Sequence, residues 1–237
     1  MEVTGSPVKF ALSNPWRALE MAVDGPLHPG GKDATEDLLD RAGVTEGTRV
    51  LDSGCGAGIS VEAARERGAS AVGLDTDPKP QKGIVRGDLG SLPLGDSTVD
   101  VVLSECSICL CSDVSVALSE SRRVLKEGGR LAVSDVTVEG EVPSGLPDPL
   151  VDALCLGENR GRSSVLSEIE ERFEVNSVKD HREDILQMRD EIKGKVNYET
   201  LLTLMGEEGK ELLDGINELE TAIEDGKVGY VSVVATC

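Results

Sequence analysis

Asp52-Ser53-Gly54-Cys55-Gly56-Ala57-Gly58 gathers a carboxylate, a hydroxyl, a thiol and three alternating glycines into one short stretch. Val50 and Leu51 precede it, and a helix-compatible run from Ile59 to Arg67 follows, so a strand should turn sharply here into a helix. Glycine turns without a Cβ and lets a ligand lie against the main chain, while the amides opening a helix point at whatever sits there. Two further apolar runs end in an acid, Ala71-Val72-Gly73-Leu74-Asp75 and Ile84-Val85-Arg86-Gly87-Asp88. Asp75 stands 21 residues after Gly54, near the distance at which a βαβ unit sets a carboxylate against ribose hydroxyls.

A second group of reactive types is Ser104-Glu105-Cys106-Ser107-Ile108-Cys109-Leu110-Cys111, with Cys155 further on. Thiolates are nucleophiles and soft-metal ligands. C-x-x-C-x-C is a poor zinc or iron–sulfur frame, because no second CxxC pair accompanies it, so no resident metal is expected. The six cysteines read as free, catalytic or ligand thiols rather than a disulfide framework, with core packing as the plain alternative.

The elements that must position these groups follow in order. Val99 to Ser104 is a fourth strand, and Arg123 to Arg130 ends a helix with glycines before a fifth, Leu131 to Val136. Only Thr76 to Gly83 separates strands 2 and 3, with Pro78 and Pro80 inside, so the usual crossover helix should shrink to a loop or single turn. Pro143, Pro147 and Pro149 mark a loop, Leu150 to Leu156 an apolar helix, and Phe173 to Val178 a strand. Residues 181–225 read as mostly helical, with Ile185, Met188 and Ile192 on one face, and Val228 to Ala235 as the last strand. Residues 1–48 read as an N-terminal cap segment with helices from Asn14 to about Val23 and from Thr35 to Ala42. Trp16 and His28 either lie near the site or serve as a packing anchor and a loop residue.

A formal charge of −20 repels polyanions, which argues against nucleic acid and anionic membranes and modestly favours a cationic cofactor. Two Phe, two Tyr and one Trp cannot build a stacking surface for bases. No apolar run reaches about 18 residues, and Pro7, Lys9 and Pro15 do not suit a secretory leader, so a cytoplasmic protein is expected.

The spacing Asp-x-Gly-x-Gly-x-Gly resembles motif I of class I S-adenosylmethionine-dependent methyltransferases, not the G-x-G-x-x-G of dinucleotide sites, where Ile59 stands in place of glycine. Arg123-Val124-Leu125-Lys126-Glu127-Gly128-Gly129 resembles that family's R-V-L-K-P-G-G phrase, with Glu127 replacing proline, and the likeness covers roughly residues 49–136. The resemblance implies an α/β, Rossmann-like fold: a mostly parallel seven-stranded sheet with an antiparallel last strand, over residues 49–237, and a helical insertion before that strand. It implies S-adenosylmethionine as cofactor, held by Asp52, Ser53, Gly54, Cys55, Gly56, Gly58, Asp75, Thr76, Asp88, Leu89 and Ser104. Asp88 matches the residue that receives the adenine amino group. The insertion would be a lid or a homodimer surface.

Ser104-Glu105-Cys106, Val133-Ser134-Asp135-Val136 and Cys155-Leu156-Gly157 resemble phrases of the arsenite methyltransferases, in which the residue matching Cys155 is an arsenic ligand. On this likeness Cys106 and Cys155 are the reactive pair and should converge at the methyl site, joined by Cys109 or Cys111. Another arsenic-binding cysteine of that family falls on Val61 here. The L-x-P-G-G turn and the Asp180-His181 pair also resemble less characterised bacterial and archaeal methyltransferases. The expected activity is methyl transfer to a small molecule, with a soft, thiol-seeking species such as trivalent arsenic among the candidates. A nicotinamide oxidoreductase and a non-catalytic cofactor-binding subunit are the rivals.

Overall fold

Val50 and Leu51 face opposite sides of their strand, and both are buried, as a strand sandwiched between helix layers requires. The same alternation runs through Val101, Val102 and Leu103, and through Ala132 and Val133. The computed structural model describes residues 10–11, 13–23, 25–140, 145–157, 160–195, 198–203 and 205–237.

The strands are β1 (Arg49–Ser53), β2 (Ser70–Asp75), β3 (Ile84–Arg86), β4 (Val99–Glu105), β5 (Leu125–Val138), β6 (Glu174–Asp180) and β7 (Val228–Thr236). They form one sheet ordered β3-β2-β1-β4-β5-β7-β6. Strands β1 to β5 pair in parallel, and β7 lies antiparallel between β5 and β6. This is the α/β arrangement expected, including the insertion of the last strand.

The helices are α1 (Pro15–Ala22), α2 (Gly31–Arg41), α3 (Ile59–Glu66), α4 (Val114–Val124), α5 (Asp148–Ala153), α6 (Arg162–Glu170), α7 (Arg182–Lys195), α8 (Tyr198–Thr203) and α9 (Glu207–Glu224). Leu38, Leu39, Val61 and Ala64 of α2 and α3 cover one face of the sheet, and Leu118 and Ile169 of α4 and α6 cover the other. Leu202, Leu212 and Ile223 of the late helices form a third cluster with Val138, Leu156 and Val228. Between Asp75 and Ile84 there is no helix, as the two prolines forecast.

Three boundaries differ from expectation. Helix α4 stops at Val124, and Leu125 to Arg130 already belongs to β5, whose pairing with β4 shifts register between Val99 and Val101. The glycines there serve an irregular strand entry rather than a helix end. Helix α2 starts four residues early because Gly30, at φ 78°, caps it. Helix α5 begins at Asp148, since a proline suits the first turn of a helix. Pro143 lies outside the described residues.

Candidate active site

The strand order reverses between β1 and β4, which opens a crevice at their carboxyl ends. The loops leaving both strands meet there. Gly54, Gly56 and Gly58 all have positive φ, 84°, 48° and 76°. A Cβ on Gly54 would lie 2.2 Å from the Cβ of Ser107, and one on Gly58 would lie 2.4 Å from Cδ1 of Ile84. A Cβ on Gly56 would meet nothing within 4 Å, so the main chain there is bare. Packing demands two of the glycines, and the third presents open backbone.

Asp75 is aimed at this loop. Its Oδ2 accepts the Gly56 amide at 2.9 Å, and its Oδ1 accepts the Asp77 amide at 2.9 Å. The amides of Gly54 and Cys55 donate to the Leu74 carbonyl, tying the loop to the end of β2. Asp52 is 2% exposed, and its Oδ2 is the one buried side-chain polar atom without a partner among the described residues. Burial, reinforced by the charges of Glu105 and Asp75, pushes its carboxyl well above the ordinary range. An orphaned buried acceptor in a negative pocket is a receptor for a cationic group that also donates hydrogen bonds.

The two serines expected at the cofactor use their hydroxyls internally. Ser53 Oγ donates to the Leu103 carbonyl at 3.1 Å, and Ser104 and Ser107 pair hydroxyl to hydroxyl. Ser107 Oγ also donates to the Ser53 carbonyl at 2.8 Å, so these side chains brace one loop against the other. Cys55 is buried against Gly73, and its thiol is pushed up to about 12 by burial and by Asp52 and Asp75. It is a packing residue. Leu89 is buried, whereas Thr76 and Asp88 are exposed, with Asp88 Oδ1 accepting the Gly90 amide at 2.7 Å.

Glu105 was not singled out for a role in the sequence, yet its side chain is 5% exposed at the centre of the crevice. Thr35 Oγ1 donates to it at 3.0 Å and Ser60 Oγ at 2.6 Å, and His28 Nε2 stands 3.4 Å away. His28 is therefore in the site, stacked 6.4 Å from the Tyr230 ring, while Trp16 is 37% exposed on α1. The signal available was the buried-type setting of a lone histidine beside a glycine turn. Thr35 and Ser60 gave none, because hydroxyls on helix faces are commonplace. The N-terminal segment also reaches the loop between β2 and β3 through the Glu20–Lys79 ion pair at 2.6 Å.

The thiols are arranged differently from expectation. Cys155 is disulfide-bonded to Cys109, with Cα atoms 5.8 Å apart, and does not pair with Cys106. Cys106 instead points its thiol at the Tyr230 hydroxyl, 3.6 Å away, which donates in turn to Ser134 Oγ at 2.7 Å. Burial and the nearby Asp135 and Glu105 charges push the Cys106 thiol far up, so it is not a ready thiolate. Reading all six cysteines as free thiols is corrected by this bridge. Its partners are 46 residues apart, and only the fold brings the end of β4 beside the turn after α5. Cys106 and Cys155 both hold left-handed backbone, φ 48° and 55°, unusual for residues with a Cβ.

Behind the bridge, Asp135 is 1% exposed. A carboxylate oxygen of it and the sulfurs of Cys109 and Cys155 all lie within 4.8 Å of one another. Burial pushes the Asp135 carboxyl up to about 6, against the downward pull of Arg160, 3.4 Å away. Among the described residues no helix is long and apolar enough to cross a membrane.

Residues 51–133 match a family model described as a methyltransferase domain. An arsenite methyltransferase of Halobacterium salinarum is 33% identical over 134 residues, which cover 48% of this chain and 34% of that protein. A malonyl-[acyl-carrier protein] O-methyltransferase of Serratia marcescens is 32% identical over 112 residues, 44% of each chain. The chain thus spans less than half the length of these two relatives. Among solved structures, a Haemonchus contortus phosphoethanolamine N-methyltransferase 2 in complex with S-adenosyl-L-methionine superposes with a TM-score of 0.70 at 19% identity, covering 98% of this chain and 58% of that one. The [4+2]-cyclase SpnF superposes at 0.69 with 20% identity, covering 96% and 93%. At such identities the likeness is one of fold, and a cyclase within the group shows that this fold hosts more than one chemistry.

Proposed function

We propose that this chain, whose residues 51–133 match a methyltransferase domain model, is a class I, S-adenosylmethionine-dependent methyltransferase that transfers a methyl group from that cofactor to a small molecule. The observation that carries the reading is the orphaned Oδ2 of Asp52 beside a glycine loop whose Gly56 backbone is bare. That pocket fits the cofactor's ammonium and its phosphate-free chain. Asp75 holds the ribose hydroxyls, and Asp88 and Leu89 border the base. Ser53 and Ser104 act at one remove, by fixing the loops.

S-adenosylmethionine supplies a methyl group on a sulfonium, whose displacement releases a neutral thioether. The chain's own residues need to align the acceptor and exclude water rather than move a proton. The wall facing the transfer is built from Cys106, Tyr230, Ser134 and His28. Glu105 and Asp75, whose charges bear on Asp52, give the crevice a negative potential that favours a cationic cofactor.

The acceptor reading we favour within this class is a soft, thiol-seeking species such as trivalent arsenic. Its support is the pair of sulfurs of Cys109 and Cys155 at the end of β4, and the likeness to an arsenite methyltransferase. The pair must be reduced to act as a ligand set. Val61, where that family has another cysteine, is fully buried in the core and offers no donor. Incubation with methyl-labelled cofactor and reduced thiols, using arsenite and a set of small carboxylic acids as acceptors, tests the proposal. Label in methylated arsenic supports the thiophilic acceptor, and label only in methyl esters replaces it. Tight cofactor binding with no transfer to any acceptor would favour a non-catalytic cofactor-binding protein.

A further inference from the structure

We infer that the Cys109–Cys155 bridge is a redox-responsive staple that takes a dithiol reductant and governs how firmly the acceptor side of the crevice is covered. This stands whatever the acceptor is. The bridge joins the short 3-10 helix Ile108–Leu110, directly after β4, to the turn after α5. Helix α5 is in turn the surface on which the N-terminal helix α1 packs. Helix α1 also reaches the loop between β2 and β3 through Glu20 and Lys79. One covalent link therefore holds a chain of contacts that runs from the end of β4 over to the N-terminal cap.

Several features separate this bridge from a purely structural one. Both cysteines are half-buried, and the residues on the Cys155 side, Asp152 and Gly157, are exposed, so a small dithiol can reach it. Cys155 holds a left-handed backbone that its side chain disfavours. Free thiols stand close in sequence at Cys106 and Cys111. The buried Asp135 has a carboxylate oxygen within 4.8 Å of both sulfurs, so the thiols would part beside a polar group. Helix α5 is a single short element whose Leu150 and Val151 pack in the cluster formed by the late helices with Val138 and Val228.

The exchange balances without any further reactant. A thiolate of the dithiol attacks Sγ of Cys155, the S–S bond breaks, and its electron pair leaves on Sγ of Cys109, which takes a proton from water. The second thiol of the reductant then attacks its own sulfur in the mixed disulfide and releases Cys155 as a thiol. Two electrons pass to the protein, and the reductant departs as its cyclic disulfide.

The test uses the full chain and dithiothreitol as the probe. Alkylation in denaturant without reductant, followed by mass spectrometry, should block four of the six cysteines and recover a cross-linked peptide containing Cys109 and Cys155. Dithiothreitol added to the native protein, and removed before the denaturing alkylation, should raise this to six. Hydrogen exchange should then quicken by roughly tenfold in residues 15–22 and 148–157, and stay unchanged in β1 and β4. The Cys109→Ser, Cys155→Ser double variant should exchange at the reduced rate with or without dithiothreitol. The Cys106→Ser, Cys111→Ser variant keeps the bridge and should still respond. Six free thiols before reduction would overturn the inference, as would a bridge that yields only after unfolding. Equal exchange in the two redox states would reduce it to a passive cross-link.

Discussion

Ser60 and Glu105, 45 residues apart, are joined by a 2.6 Å hydrogen bond that ties the first turn of α3 to the end of β4. Thr35 of α2 donates to the same carboxylate, so one side chain gathers three segments around the crevice. Glu105→Ala leaves two hydroxyls and the His28 ring without this acceptor in a region closed to water. It should lower unfolding free energy by roughly 1–3 kcal/mol and weaken cofactor binding, because the loop from Gly54 to Gly58 loses its brace. Urea unfolding and calorimetric titration read the two effects. Unchanged values in both would mean that Glu105 merely occupies the crevice.

Asp75→Ala removes the acceptor of the Gly56 and Asp77 amides and, on the proposed reading, of the ribose hydroxyls. S-adenosylmethionine should bind roughly 5- to 150-fold more weakly, a loss of about 1–3 kcal/mol, with the fold intact. Calorimetry on the folded variant decides it. Wild-type affinity in the variant would remove Asp75 from the cofactor.

Gly54 and Gly56 should separate by phenotype. Gly54→Ala drives a methyl into Ser107, a residue already locked between Ser104 and Ser53, and should unfold or strongly destabilise the protein. Gly56→Ala meets no atom and carries only the left-handed backbone cost, about 1–2 kcal/mol. It should therefore fold yet bind the cofactor poorly, since the methyl covers the bare backbone. Melting curves beside binding isotherms check the pair. A Gly56→Ala protein with full affinity would place the cofactor elsewhere.

What the sequence disclosed follows from local rules. Glycine spacing, strand ends and the Pro78 and Pro80 pair act over a few residues, so the loop, the sheet and the missing crossover helix were all legible. The partners of Glu105 and Cys109 lie 45 to 70 residues away, and no periodicity encodes them. Likewise Ser53 and Ser104 sit near the carboxyl ends of β1 and β4, but the fold turns their hydroxyls inward, which a motif cannot reveal. Cys106 was legible as the residue that follows β4; the Tyr230 hydroxyl that holds its thiol comes from the far end of the chain.

Asp135 gives the fold a pH dependence with a definite sign. Its folded-state pKa of about 6 exceeds the ordinary 3.8, so between these values the native protein keeps a proton that the unfolded chain has lost. Its contribution to stability is full below about pH 4, falls as pH rises to about 6, and is level above that, a change of about 3 kcal/mol. Asp135→Asn stays neutral throughout and nearly preserves the shape of the side chain. Asp52 pushes in the same direction but is common to both proteins, so the difference between them isolates Asp135. Unfolding free energies from urea titrations at intervals from pH 4 to 7 should diverge, with the wild type losing ground to the variant as pH rises. Parallel curves would mean that Arg160 holds Asp135 ionised across the whole range, and that the carboxylate next to the Cys109–Cys155 bridge carries its charge at every pH tested.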